Sequence, residues 1–286
     1  MKENKFLILG GDERSLYLGE YLEANGLQVC YYAFRNTDCF ESTAEAVNAA
    51  DCIILPLPFT RDRLTLNAPL FDGTVAVSEI SALAAPGKVF FGGQLPKSFC
   101  EELEARGAEC FDYFTLEELA VYNAVPTAEG VLGILISKLP CTVHNMKCAV
   151  TGYGKVGKIL AAELKALNCD VTVFARRATD RADAYAKDIK FENITEYKDA
   201  PRDFDALINT VPAKVIGAAE LEKTSRDCVL IEIASPPYGI DFQAAKEKAF
   251  EVIKAGSLPG IAAPKTAGEI IARTLIPIFK MKGLMA

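Results

Sequence analysis

Cys148-Ala-Val-Thr-Gly-Tyr-Gly-Lys-Val-Gly157 joins a short apolar run to a turn with glycines spaced one, three and six. Beyond it, Ala161, Leu164 and Leu167 recur at helical spacing. An apolar strand, a Gly-x-Gly-x-x-Gly turn and an amphipathic helix together form the phosphate-binding start of a dinucleotide domain. Each glycine has a mechanical reason. Gly152 permits the tight turn, Gly154 lets a pyrophosphate approach the backbone, and Gly157 lets helix and sheet pack closely. The free N–H groups at the helix start then face the phosphates. Gly152, Tyr153, Gly154, Lys155, Val156 and Gly157 are therefore the first expected cofactor contacts.

A second strand, Asp170 to Phe174, follows at the expected distance. An NAD site usually ends this strand with Asp or Glu, which accepts from the ribose 2′-hydroxyl. Here it ends Phe174-Ala-Arg-Arg177. Arg176 and Arg177 suit a 2′-phosphate, because a guanidinium fork makes paired charge-assisted bonds. The expected cofactor is NADP(H). Two further strand ends, Asn209, Thr210, Val211 and Pro212, and Ala234 and Ser235, should face the same crevice and flank the nicotinamide.

Working outward, strands recur at Ala206 to Asn209, Val229 to Ile233 and Phe250 to Ile253. The N-terminal third repeats the alternation, with strands at Phe6 to Leu9, Val29 to Tyr32, Cys52 to Leu55, Thr74 to Val77, Val89 to Phe91 and Glu109 to Phe111. Arg14 to Asn25 reads as a helix stopped by Gly26. Such alternation implies parallel sheets covered by helices. Between the halves, Leu116 to Leu139 is helical. Pro126 marks a turn over Asn123-Ala-Val-Pro-Thr127, and a long helix starts near Ala128. The fold expected is α/β: two Rossmann-like, doubly wound parallel-sheet domains joined by that helix. A C-terminal helix, kinked at Pro277, returns to the first domain by analogy with two-domain dehydrogenases. The domain bounds expected are 1–127, a linking segment 128–146, 147–265, and 266–286.

Composition narrows the function classes. A net charge of −7 without a basic stripe argues against nucleic acid. Apolar runs such as Cys52 to Leu57 and Val131 to Ile136 are too short to span a bilayer, and Met1-Lys-Glu-Asn-Lys5 is no signal peptide. Nine cysteines without a Cys-x-x-Cys pair read as reduced thiols of a cytoplasmic protein. One histidine, His144, leaves no His-rich metal site, and no metal is expected.

Six segments together resemble the A subunit of dipicolinate synthase. They are Gly10-Gly-Asp-Glu-Arg14, Tyr122-Asn-Ala-Val-Pro-Thr-Ala-Glu-Gly130, Thr151-Gly-Tyr-Gly-Lys-Val-Gly157, Asn209-Thr-Val-Pro-Ala213, Ile233-Ala-Ser235 with Asp241-Phe242, and Leu258-Pro-Gly-Ile-Ala-Ala-Pro-Lys-Thr-Ala-Gly268. The resemblance implies NADP-dependent oxidation of dihydrodipicolinate, the diaminopimelate-pathway intermediate, or of its hydrated precursor. The product is pyridine-2,6-dicarboxylate, which fills bacterial spores. It also implies a second, flavoprotein-like subunit. The chain is further expected to form a homo-oligomer. One segment departs from the family pattern Asp-Leu-Ala-Ser-Lys-Pro-Gly-Gly. This chain has Glu232-Ile-Ala-Ser-Pro-Pro-Tyr-Gly239, which lacks the lysine and replaces a glycine.

No histidine–carboxylate pair offers a general base, which argues against a 2-hydroxy acid substrate. A substrate that becomes aromatic on hydride loss needs mainly position and electrostatics. A small dicarboxylate needs cations or N–H groups. Gly11 and Arg14 at one helix start, and Lys265 and Thr266 at another, are the expected carboxylate contacts, facing each other across the interdomain cleft. Asn123 and Thr127 on the connecting turn complete the substrate set. Glu129 is the candidate acid/base, with Lys265 beside it as a catalytic candidate. The plain alternatives are a cap by Asp12 with a solvated Arg14, an exposed Lys265, and Thr127 with Glu129 capping the helix. Two other classes stay open: a non-catalytic NADPH-binding subunit, and another imine or amino-acid dehydrogenase on the same scaffold.

Overall fold

A computed structural model describes residues 4–37 and 39–285. The expectation that Met1 to Glu3 carry no leader lies outside them. The chain forms two compact units. Unit 1 runs to Asn123 and resumes from Ala263; unit 2 is Ala124–Ala262.

Unit 1 contains β1 (Lys5–Leu9), α1 (Glu13–Ala24), β2 (Gln28–Tyr32), α2 (Thr43–Ala49), β3 (Cys52–Ile54) and α3 (Val77–Ala82). It continues through β4 (Val89–Gly92), α4 (Lys97–Ala105), β5 (Glu109–Asp112) and α5 (Glu117–Tyr122). Its sheet is parallel, in the order β2-β1-β3-β4-β5. The central strands β1, β3 and β4 are buried throughout except at Lys5 (Phe-Leu-Ile-Leu, Cys-Ile-Ile, Val-Phe-Phe-Gly), as a sheet covered on both faces requires.

Unit 2 opens with α6 (Ala124–Lys138), then β6 (Lys147–Thr151), α7 (Lys155–Ala166), β7 (Asp170–Ala175), α8 (Ala178–Ala186) and β8 (Lys190–Asn193). There follow β9 (Ala206–Asn209), α9 (Ala218–Lys223), β10 (Val229–Glu232), α10 (Phe242–Glu247), β11 (Val252–Lys254) and α11 (Leu258–Ala262). The six strands run parallel in the order β8-β7-β6-β9-β10-β11. The connections change direction between β6 and β9, which makes that position the topological switch point.

The last helix, α12 (Pro264–Met281), belongs to unit 1. Its Ile271, Leu275 and Phe279 share a core with Leu18, Leu22 and Phe6. A Cβ on Gly268 would collide with the Arg14 carbonyl and lie 2.9 Å from the Leu18 nitrogen. Glycine is what lets α12 lie this close to α1. Further along, the Arg273 guanidinium sits 5.5 Å from the Tyr21 ring centroid. Positions 14–18 therefore meet 268 and position 21 meets 273, so the two helices run in the same direction.

Several expectations need correction. Pro126 does not mark a turn; it is the third residue of α6, where its missing N–H has no intrahelical partner to lose. The helix accordingly starts at Ala124 rather than near Ala128, and lies wholly in unit 2. Together α5 and α6 make one stretch, Glu117–Lys138, that is long and apolar enough by length and composition to cross a membrane. Its Ala128, Val131 and Leu135 are buried in the unit 2 core. Thr74 to Val77 is not a strand: only Ala76 makes an isolated bridge, to Thr65, and Val77 begins α3. The edge strand β8 leaves little trace in the sequence because Phe191 is its one apolar residue. Cys100 and Cys110 are not reduced thiols but a disulfide, with Cα atoms 5.4 Å apart. The turn at Gly107 folds β5 back along α4 and brings them together. Cys52, Cys148, Cys169 and Cys228 are free and buried.

Candidate nucleotide site

The site is built from the loops after β6, β9 and β10. Gly152 has φ +92°, a conformation that side chains rarely adopt, and a Cβ there would collide with the Thr210 hydroxyl. A Cβ on Gly157 would strike the Gly152 carbonyl, so the first turn of α7 closes directly onto the loop. Gly154 differs from both. It is exposed, and a Cβ there would meet nothing within 4 Å. It is also the N-cap of α7 and supplies no side-chain cap. The first N–H groups of the helix thus lack a side-chain acceptor beside open space, which suits an anionic group.

A buried polar network fixes the neighbouring loops. The Thr151 hydroxyl donates to Asn209 Oδ1 at 2.6 Å, and the Thr210 hydroxyl donates to the Thr151 carbonyl at 2.8 Å. Asn209 Nδ2 donates to Glu232 Oε1 at 2.6 Å and to the Val211 carbonyl at 3.0 Å. Glu232 is 2% exposed and accepts three backbone N–H groups, from Ala234 at 3.0 Å, Gly239 at 2.9 Å and Ile240 at 2.8 Å. This carboxylate therefore organises the whole loop from 234 to 240. It was absent from the residues expected from sequence, although a carboxylate ending an apolar strand was the available signal. Tyr238 in that loop has φ +65°, which explains why glycine suits the position; its ring packs edge-on against Phe242 at 5.2 Å. The Lys254 ammonium lies 3.9 Å from the Phe242 ring centroid and 5.3 Å from that of Tyr238.

At the end of β7 the two arginines part company. Arg177 forms a two-pronged pair with the buried Asp180, at 2.8 and 2.9 Å. Arg176 is exposed and, among the described residues, makes no hydrogen bond or ion pair. Of the two, Arg176 is the one whose guanidinium is uncommitted among the described residues. Tyr153 is 2% exposed, and among the described residues its hydroxyl has no hydrogen-bond partner. Burial, then the Asp183 charge, pushes that hydroxyl up to about 12. Lys158 sits 5.2 Å from the Tyr153 ring centroid and pairs with Asp183 at 3.2 Å. Val156 is half-buried and Lys155 exposed in the first turn of α7, Pro212 is exposed after β9, and Ser235 is exposed after β10.

The expected substrate residues are distributed differently from what their sequence positions suggest. Arg14 is not a free cation. It is 6% exposed, grips Asp12 at 2.9 and 2.7 Å, and also donates to the Leu57 carbonyl. A Cβ on Gly11 would collide with Ser15, so this turn is filled. Lys265 and Thr266 are exposed in the first turn of α12, and among the described residues Lys265 has no partner. Because α1 and α12 belong to one unit and run side by side, the two helix starts do not face each other across an interdomain cleft. Asn123 and Thr127 are half-buried at the end of α5 and in α6. Glu129 is exposed on α6 in the neighbourhood of Glu163 on α7. Burial, then the Glu129 charge, raises the Glu163 carboxyl, one oxygen of which is buried without a hydrogen-bond partner among the described residues. Glu163 lies nine residues beyond Gly154, about 13 Å along the helix at 1.5 Å per residue. This places Glu129 away from the phosphate turn.

Residues 5–114 match the N-terminal domain of the dipicolinate synthase A subunit. The chain is 27% identical over 279 residues to the dipicolinate synthase A subunit of Bacillus subtilis (strain 168), covering 95% of this chain and 94% of that one. The chain is similar to dipicolinate synthase A subunits over nearly its whole length. Residues 137–237 match the NAD-binding domain of D-isomer specific 2-hydroxyacid dehydrogenases. The crystal structure of the dipicolinate synthase A subunit from Bacillus halodurans superposes with a TM-score of 0.87 at 27% identity, covering 96% of this chain and 97% of that chain. The crystal structure of its Bacillus subtilis counterpart gives 0.85 at 25% identity, covering 98% and 97%. The chain is a nicotinamide-dependent oxidoreductase with a two-domain α/β Rossmann-like fold.

Proposed function

We propose that this chain is the dehydrogenase component of a cytoplasmic dipicolinate synthase, oxidising dihydrodipicolinate or its hydrated precursor with NADP. The observation that carries the cofactor choice is Arg176, a free guanidinium at the end of β7 where an NAD site places a carboxylate. The uncapped start of α7 and the open space at Gly154 fit a pyrophosphate. NADP, when bound, supplies the hydride acceptor. The protein's share is orientation: Gly152 and Gly157 shape the turn, and the Thr151–Asn209–Glu232 network holds the loops after β9 and β10 in place. Loss of hydride makes the substrate ring aromatic, so positioning is the main demand on the protein. Because its relatives are named as one subunit of a synthase, the chain works with a second subunit, which we take to be flavoprotein-like.

The test is consumption of dihydrodipicolinate with NADP and with NAD, with and without that partner. NADP-dependent formation of dipicolinate supports the reading; absence of turnover in every combination removes it. A second reading, an NADPH-binding subunit that orders a catalytic partner, is favoured by one observation: Pro236 stands where the family pattern carries a lysine. Turnover by the isolated chain excludes it.

A further inference from the structure

In unit 1 the connections change direction between β1 and β3, the position where open parallel sheets take ligands. That position is closed here. Arg14, Asp12 and the Leu57 carbonyl occupy it, and a Cβ on Gly10 would meet Leu66 at 2.6 Å. Open space lies one strand further along. A cleft of about 720 Å³ forms over the loops that follow β3 and β4. This volume is in the range of small-molecule sites, roughly 300–1,000 Å³.

The wall of the cleft carries Arg61, Arg63 and Lys97 against one carboxylate, Glu102, in a chain whose net charge is −7. Leu64, which is exposed, contributes an apolar surface, and the cleft rests on the buried Phe99 and Phe59, 4.5 Å apart between ring centroids. The cations are held on built loops. Asp62 accepts the N–H groups of Leu64 and Thr65, both at 2.8 Å, and the Thr65 and Thr60 hydroxyls at 2.7 and 3.1 Å. These donors, Thr65 foremost, hold the Asp62 carboxyl well below the usual carboxylate range. The turn they tie carries both Arg61 and Arg63. Asn67, itself buried, accepts from Arg61 Nε at 3.1 Å. Arg63 has φ +69°, and Gln94 across the cleft has φ +61°, conformations disfavoured for residues with a Cβ. The Gln94 loop is tied by Asp112, which accepts the N–H groups of Gln94 at 3.1 Å and Leu95 at 3.0 Å. Strained residues maintained by such ties are concentrated where ligands bind. Lys97 opens α4, which lacks a side-chain cap; its own ion pair, with Glu101 at 3.2 Å, is solvent-exposed and weak.

We propose that this cleft is the anion site of unit 1 and takes a small ring dicarboxylate through Arg61, Arg63 and Lys97. The choice of dicarboxylate rests on the function proposed above. The site itself rests on the cleft, its cations and its tied turns.

The test is calorimetric titration of the full chain with pyridine-2,6-dicarboxylate, benzene-1,3-dicarboxylate and inorganic phosphate, with NADPH titrated separately. Arg63→Gly keeps the left-handed backbone and removes the charge; Lys97→Gln removes the second cation. Each is expected to weaken pyridine-2,6-dicarboxylate at least tenfold and leave NADPH affinity unchanged, with Arg63→Lys recovering part of the loss. If the benzene compound alone binds and depends on these residues, the cleft stands and the dipicolinate reading falls. If pyridine-2,6-dicarboxylate binds wild type and variants equally, the cleft assignment is overturned and the function proposed above survives. Binding of neither dicarboxylate to the wild-type chain, or of phosphate alone, overturns the cleft assignment as well.

Discussion

The turn after β1 and the turn after β6 start alike, each with an apolar parallel strand, a left-handed glycine and a helix, yet they differ in what fills them. In unit 2 the turn leaves Gly154 exposed and the start of α7 uncapped. In unit 1 Asp12 caps α1, and Arg14 folds back onto that same carboxylate. One turn leaves its N–H groups without a side-chain acceptor, and the other spends its polar groups on itself. A glycine-rich strand-to-helix turn is thus open to an anion only when no side chain of its own reaches the helix start.

The largest effect expected from this contrast is on stability in unit 1. Arg14→Ala would leave Asp12 without its partner in a largely buried setting and should cost about 3 kcal/mol. Denaturant unfolding measures this directly. Unchanged stability with a raised Michaelis constant would restore Arg14 as a substrate ligand. Next comes Gly154→Val in unit 2. The added side chain enters open space, so the fold should persist while NADPH affinity falls by about a hundredfold, near 2.7 kcal/mol. A folded variant that binds NADPH normally would show that the turn is no more a site than its unit 1 counterpart.

Smaller effects sharpen the cofactor assignment. Arg176→Ala should reduce the preference for NADPH over NADH about tenfold, near 1.4 kcal/mol. Arg177→Ala should change it less, because Asp180 already holds that guanidinium. Competitive titration of both cofactors measures the difference, and the reverse ranking would mean that Asp180 releases Arg177 to the ligand. The smallest change is expected at Lys265. It is exposed and partnerless among the described residues, so Lys265→Ala should move stability by less than about 0.5 kcal/mol. A larger loss would reveal a contact at the start of α12.

Much of this molecule can be read from local pattern, and the rest cannot, for identifiable reasons. The run Cys148 to Gly157 carries strand period, glycine spacing and helix period in one stretch, so the α/β class and the strand–turn–helix of β6 and α7 follow from sequence alone. The second alternation along the first third likewise implies a second parallel sheet, since buried central strands must be continuously apolar. Helix starts were less legible. Pro126 breaks a helix or begins one according to whether the residues before it already turn, and sequence does not record that choice. The roles of charged residues were settled only in three dimensions. Arg14, Arg177 and Glu232 are committed to Asp12, Asp180 and a ring of backbone N–H groups, while Arg176 is not. A side chain's charge is fixed by its identity, but whether that charge is available depends on which partners the fold brings within about 3 Å: here near neighbours such as Asp12 and Asp180, joined by Leu57 and Asn209 from distant segments.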